Sequence, residues 1–188
     1  MKFALIAVGI VILICLILGG SLIGARNQLV TEREDVTGKF AQIDTDLQRR
    51  NDLIPNLVET VKGFAKHEEE AIDSVTKARA EMAGAHTPQE KIAADAKMEP
   101  ALARLLLVVE NYPNLKADEN FLRLQDELER SENRIAIARR DYNQSVQKYN
   151  TDIATFPSNI AASMFGFQRN DAYFKADEGA KVAPKVKF

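Results

Sequence analysis

The stretch "QRRNDLIPNLVETVKGFAKHE", residues 48–68, has the spacing of an amphipathic helix and carries Pro55 inside it. Whether a helix ends at that proline decides the architecture. A heptad with a-positions at Phe40, Leu47, Ile54, Val61, Glu68, Val75 and Met82 places Val36, Ile43, Arg50, Leu57, Phe64, Ala71 and Ala78 at d. Only Arg50 and Glu68 break the apolar set, and the register does not shift at Pro55. An interior proline costs ~3 kcal/mol, whereas about a dozen buried apolar side chains, at ~1.5–3 kcal/mol each, stabilise the helix by far more. The pattern therefore predicts one helix over about residues 27–83, kinked at Pro55, with the Asn51 carbonyl left for water or a side chain. A break into two helices is the alternative.

Working outward, Gly84 marks a stop, and Thr87, Pro88 and Glu90 supply an N-cap, a first-turn proline and a capping-box partner for a helix over about 88–111. Its apolar positions are Ile92, Ala96, Leu102, Leu105, Leu106 and Val109, with a second kink expected at Pro100. Asp118 caps a third helix whose seven-spaced row, Phe121, Leu128, Ile135, Tyr142, Tyr149 and Phe156, is wholly apolar or aromatic. Phe156-Pro157 ends it, and "NIAASMF" reads as a short fourth helix before Gly166.

In the other direction, residues 3–24, "FALIAVGIVILICLILGGSLIG", contain no charge. At ~1.5 Å per residue they span ~30 Å, the thickness of a bilayer core. The run is longer than a usual signal-peptide core and no small-x-small cleavage site follows it cleanly, so an uncleaved anchor is expected. Basic residues nearly balance across it, Lys2 on one side and Arg26, Arg33 and Lys39 on the other. The short Met-Lys leader resembles a signal anchor that keeps its N-terminus in the cytoplasm, which puts the soluble part on the extracytoplasmic side. The expected chain is all-α: a membrane anchor over 1–25, an elongated antiparallel bundle of three long helices and a short fourth over 26–174, and a disordered tail over 175–188.

Composition closes several functions. With 25 basic and 27 acidic side chains among 188 residues, no general attraction to nucleic acid is expected. The single cysteine, Cys15, lies in the apolar run, behind bulky Leu13 and Ile14 that do not suit a lipid-attachment site. A di-iron bundle needs Glu-x-x-His pairs, but Phe64 and Ala83 stand three before His67 and His86. "HEEE" at 67–70 lacks the second histidine of a zinc-protease motif, since Ala71 occupies its place. Neither a metal nor a cofactor is expected, and no nucleophile, base and orienting group assemble into a catalytic site. The pairs "RRN" at 49–51 and "RRD" at 139–141 read as solvated faces.

Several blocks resemble the LemA family: "QIDTDLQRRNDLIPNLVETVKGFAKHE", "VVENYPNLKADENFLRLQDELE", "ENRIAIARRDYNQSVQKYN" and "TFPSNIAASMFGF", closing with "YF" at 173–174. The resemblance covers about residues 27–174, with the apolar span in the family's usual place. Arg26 departs from it where a tyrosine often stands, and Phe40 where a tryptophan is common. It implies a bacterial membrane-anchored helical bundle without established enzymatic activity, related to a protein of magnetosome membranes, and so the cytoplasmic membrane as location.

Three sets of residues remain to be explained. Arg50 and Glu68 place charges at core positions and need partners, such as Glu110, Glu127 or Glu132, either to fix register or to form a notch for another protein. Ile160, Met164, Phe165 and Phe167 form an apolar terminal helix that either packs on the bundle or contacts a membrane or another copy. The third set follows from helix lengths of ~85, ~36 and ~57 Å. A second helix folding back from residues 84–87 reaches only about as far as Pro55, so Val36, Phe40, Ile43 and Leu47 would lack cover within their own chain. That unpartnered seam predicts a homo-oligomeric, membrane-anchored scaffold. An adaptor presenting its bundle to a membrane protease, kinase or other envelope protein is the competing reading.

Overall fold

The computed structural model describes residues 2–175. The tail expected to be disordered lies, from residue 176 on, outside the described residues. Among the described residues there are six helices and no strand: α1 (Lys2–Phe64), α2 (Glu69–Gly84), α3 (Pro88–Val109), α4 (Pro113–Lys116), α5 (Glu119–Ala154) and α6 (Ser158–Phe165). The all-α architecture is the expected one, with a long apolar N-terminal helix leading into a helical bundle.

The first helix differs from expectation in where it stops. It passes through Pro55 unbroken but ends at Phe64, and residues 65–68 form a turn closed by Glu68 N donating to Ala65 O at 3.3 Å. The local charges explain the break. Lys62 and Lys66 sit where a helix C-terminus favours cations, and Glu69 and Glu70 where the next N-terminus favours anions. Gly63 weakens the last turn of α1. The heptad is therefore interrupted at the turn, where Phe64 is exposed and Ala65 is buried in its place, while its later members Ala71, Val75, Ala78 and Met82 are buried on α2.

Beyond the break the chain doubles back. Arg79 of α2 reaches the Asn51 carbonyl of α1, so α2 lies antiparallel to it. Lys97 of α3 meets Glu81 of α2 at 2.6 Å and Arg104 meets Glu70 at 3.2 Å, a second antiparallel step. The capping box predicted for α3 is present, with Glu90 N donating to Thr87 Oγ1 at 3.2 Å and Thr87 N donating to Glu90 Oε2 at 2.9 Å. Asp118 caps α5, its Oδ1 accepting from Asn120 N and Phe121 N, both at 3.0 Å.

The chain divides into two compact units. One comprises Phe40–Arg140 and Ala172–Phe188, and holds the core of Ile54, Leu57, Val61, Ile72, Val75, Met98, Leu105 and Phe121. In it, the α1 section, α2, α3 and the α5 section alternate in direction, since Arg134 and Glu132 of α5 pair with Asp46 and Arg50 of α1 respectively. The other unit comprises Met1–Lys39 and Asp141–Asp171. There α1 and α5 are again antiparallel: Gln28 Nε2 donates to Asp152 Oδ2 at 2.8 Å, and Lys148 pairs with Glu32. Beyond α6, Asn170 is tied back to α5, its N donating to Asn150 Oδ1 at 2.9 Å and its carbonyl accepting from Asn150 Nδ2 at 2.6 Å.

These α1–α5 pairs overturn the premise of an uncovered seam. Val36 is buried in the second-named unit, Ile43 and Leu47 are buried in the first-named, and Phe40 is half-buried, all within the single chain. The physical reason is the turn at 65–68. It turns the last section of the expected first helix into a separate return helix, and the 36-residue α5 is left to cover the section of α1 that α2 and α3 do not reach.

Among the described residues α1 is the helix long and apolar enough to cross a membrane. Most of its apolar stretch is bare of protein, with Leu5, Val11, Leu16 and Ile23 all exposed, while Leu22 near its end is half-buried.

Candidate functional site

Arg50 is the largest side chain among those fully buried, with 2% of its surface exposed. Its guanidinium is held from two sides, Nη2 by Asp95 Oδ1 of α3 and Nη1 by Glu132 Oε2 of α5 at 2.7 Å. Asp95 shares its other oxygen with Nη2 of Arg139, whose Nη1 lies 2.6 Å from Glu99 Oε1 and 3.7 Å from Glu132 Oε1. Two arginines and three carboxylates from three helices thus form one network, buried at Arg50 and Asp95, opening to solvent at Glu99 and Glu132, and acidic by a single charge. Burial works against the Arg139 cation, but Asp95, Glu99 and Glu132 together outweigh it and hold its pKa above the ordinary value. The Phe174 ring lies over its guanidinium, 5.5 Å from carbon to ring centroid.

Of the carboxylates expected as partners of Arg50, Glu132 is the one beside it. Glu110 pairs with Lys116 at 2.5 Å, and Glu127 with Arg130 at 3.3 Å. Glu68 does not join the network. It stands half-exposed at the α1–α2 turn and accepts from Tyr112 Oη at 2.9 Å, a bond that raises the Tyr112 pKa because loss of the phenolic proton would set two anions together. Arg50 and Glu68 are two separate features, not one notch.

Asp95 and Glu99 escape a reading of the sequence, and Arg139, read there as part of a solvated face, is instead largely buried because it pairs with Asp95. Asp95 lies in line with Met98, Leu105 and Val109 on the buried face of α3, and Arg139 falls between Ile135 and Tyr142 on α5. A charge aligned with an apolar row is the signal each carries. An α3 face drawn through Ala96 hides it, because Ala96 is exposed.

Above the network a groove of about 470 Å3 opens between α3 and α5. Leu102, Leu106 and Leu128 form its apolar floor, Arg50, Glu99 and Glu132 its inner polar edge, and Gln125 and Glu129 its exposed rim. The floor is apolar and the reachable charges are mostly carboxylates. Such a surface suits an apolar side chain with a cationic neighbour, as on an amphipathic helix.

The terminal apolar set is divided. Ile160, Met164 and Phe165 are exposed on α6, while Phe167 is half-buried against Leu29, Ala161 and Ala162, with Arg33 over its ring at 5.5 Å. Among the described residues no group of three or more histidine, cysteine, aspartate or glutamate side chains is placed to hold a metal ion.

Comparison with known proteins adds a family. Magnetosome protein MamQ 2 of Paramagnetospirillum magneticum is 29% identical over 175 residues, which cover 79% of this chain and 64% of that protein. Magnetosome protein MamQ of Magnetospirillum gryphiswaldense is 26% identical over 179 residues, covering 81% and 66%. Protein LemA of Metamycoplasma hominis is 23% identical over 161 residues, covering 85% and 73%. The chain therefore spans just under two thirds of the length of these magnetosome proteins. The model of the LemA family matches residues 39–188, most of the chain, so this membrane-associated helical protein belongs to the LemA family.

Proposed function

We propose that the protein is a non-enzymatic, membrane-anchored adaptor whose groove between α3 and α5 receives an amphipathic, basic segment of another membrane protein. The observation that carries this reading is the groove itself: an apolar floor of Leu102, Leu106 and Leu128 beside an acidic edge, held rigid by the Arg50–Asp95–Arg139 network beneath. Both anchoring helices are fixed by buried ion pairs, so the groove needs little reorganisation to bind, which favours affinity. The arginines are committed to carboxylates, and among the described residues no nucleophile with an adjacent base faces the groove, so its use is recognition. A scaffold role is compatible with it, but self-association through Val36, Phe40, Ile43 and Leu47 loses its support because three of these side chains are buried within the single chain and Phe40 is half-buried.

The test places a photocrosslinking side chain at Ala103, an exposed residue of the groove. In native membranes the expected product is a discrete adduct with a different chain, lost when Leu106→Asp spoils the floor while helicity is unchanged. Adducts only with a second copy, or adducts indifferent to Leu106→Asp, would refute the adaptor.

A further inference from the structure

α6 is laid against the exit of the membrane span. Its two small buried residues, Ala161 and Ala162, pack with Leu29, and Leu22, Ala25, Ile153 and Phe167 close around them. Leu22 belongs to the apolar run, which ends at Gly24, and Arg26 is the first charge beyond it. The preceding helix arrives at the same level, because Asp152 meets Gln28, only about one helical turn past Gly24. The turn at 155–157 and the whole of α6 therefore sit where α1 leaves the hydrocarbon.

What this segment exposes at that level is apolar. Phe156, in the turn before α6, is 79% exposed, and on α6 Met164 is 62% exposed, with Ile160 one turn before it on the same face and Phe165 beside it. From Ile153 to Gln168 no residue carries a charge. The backbone at the end of α6 is also closed: Gly166 takes a φ of 72°, which lets its own N and that of Phe167 both turn back to the Ala162 carbonyl, the latter at 3.0 Å. A segment without charges and with a capped terminus can enter a medium of low polarity at little cost. Arg26 stacks over the Phe165 ring at 5.5 Å, so a cation stands at the same height as the lipid headgroups would.

We infer that the edge formed by Phe156, Ile160 and Met164 lies in the interfacial layer of the bilayer that α1 crosses, making α6 a second, in-plane membrane contact. The occupant is lipid because the surface is continuous with the bare sides of α1 at Leu18 and Ile23, which the same bilayer must cover. The contact is independent of the groove between α3 and α5.

The chain has no tryptophan, so one introduced indole reports without background. The full-length variants Phe156→Trp and Met164→Trp, both at exposed positions, are reconstituted into phosphatidylcholine–phosphatidylglycerol vesicles whose acyl chains are brominated near the headgroup. Ile23→Trp marks the span edge, and Lys39→Trp, at an exposed position of the same unit about 22 Å along α1 from Gly24, serves as the reference. The expected result is blue-shifted emission and a quenching of the indoles at 156 and 164 comparable with that of Ile23→Trp, with Lys39→Trp unquenched. Indoles at 156 and 164 that escape bromine while Ile23→Trp is quenched would overturn the inference. That holds equally if they shift with protein density, since the cover would then be a second copy. Failure of Ile23→Trp itself to be quenched would remove the bilayer from α1 and the inference with it.

Discussion

Arg79 Nε donates to the Asn51 carbonyl oxygen at 3.4 Å. That carbonyl is the one Pro55 leaves without its helical donor, four residues on, so the proline in α1 and the arginine in α2 are halves of one arrangement. The return helix supplies what the proline removes. Replacing Pro55 by alanine restores the internal donor, and the two substitutions should then be non-additive. Arg79→Met is expected to cost about 1 kcal/mol in the native sequence and clearly less in a Pro55→Ala background. Urea unfolding of the four proteins in detergent micelles measures the coupling; strict additivity would show that Arg79 does no more than decorate the surface.

The buried network gives an ordered series. Asp95→Asn leaves Arg50 and Arg139 facing one another with their shared carboxylate gone, and should destabilise by about 3–5 kcal/mol. Glu132→Gln removes a carboxylate that is 42% exposed and should cost only about 1 kcal/mol. Equal losses for the two would mean that water already screens the cluster.

A second acidic pair governs pH dependence in the unit that holds the membrane exit. Burial raises the Glu32 carboxyl above its ordinary range, and hydrogen bonding to Asp152 adds to that, against the pull of Lys148 and Gln28. The same bond to Glu32 lowers Asp152. A raised carboxyl favours folding while it holds its proton. The Glu32 contribution is thus complete below the usual glutamate range and lost as pH rises through the raised value. Asp152 acts oppositely, favouring folding above the usual aspartate range and ceasing to do so as pH falls through its lowered one. Glu32→Gln, which is always neutral, should melt higher than the native protein at pH 7, because Lys148 retains Asp152 at 3.3 Å, and the advantage should vanish below about pH 4. A lower melting temperature at pH 7 would instead make the Lys148 pair the dominant effect.

Cover of the α1 seam by α5 predicts protection. With Cys15→Ser as the background, Ile43→Cys or Leu47→Cys in membranes should react slowly with maleimide and give no crosslinked dimer, since both side chains are buried in the single chain. Rapid dimer formation at either position would restore the seam as an interface between copies.

The row from Phe121 to Tyr149 is fully legible in the sequence, because seven-residue spacing over that length leaves one solution, and its members are buried as far as Tyr149. Phe156 is not, since α5 ends at Ala154 before that position can turn inward. The turn at 65–68 is illegible to a periodicity argument for a related reason. Apolar residues recur on both sides of it, and only the change from lysines to glutamates marks the ends of two helices. The candidate site is half visible: Arg50 stands out as a charge in an apolar row. Asp95 and Arg139 are hidden, because which face of α3 and α5 turns inward depends on helices packed from elsewhere in the chain.

The Asn150 side chain spends its donor and its acceptor on the same residue, Asn170. No aspartate could do both. Deamidation there would set a carboxylate oxygen against the Asn170 carbonyl within the 2.6 Å that the amide now bridges, and repulsion would replace attraction at a buried side chain. Chemical ageing of a single side chain would thereby remove one of the ties that hold the stretch following α6, beside that from Tyr149 Oη to the Gln168 carbonyl, while the helices themselves stay folded.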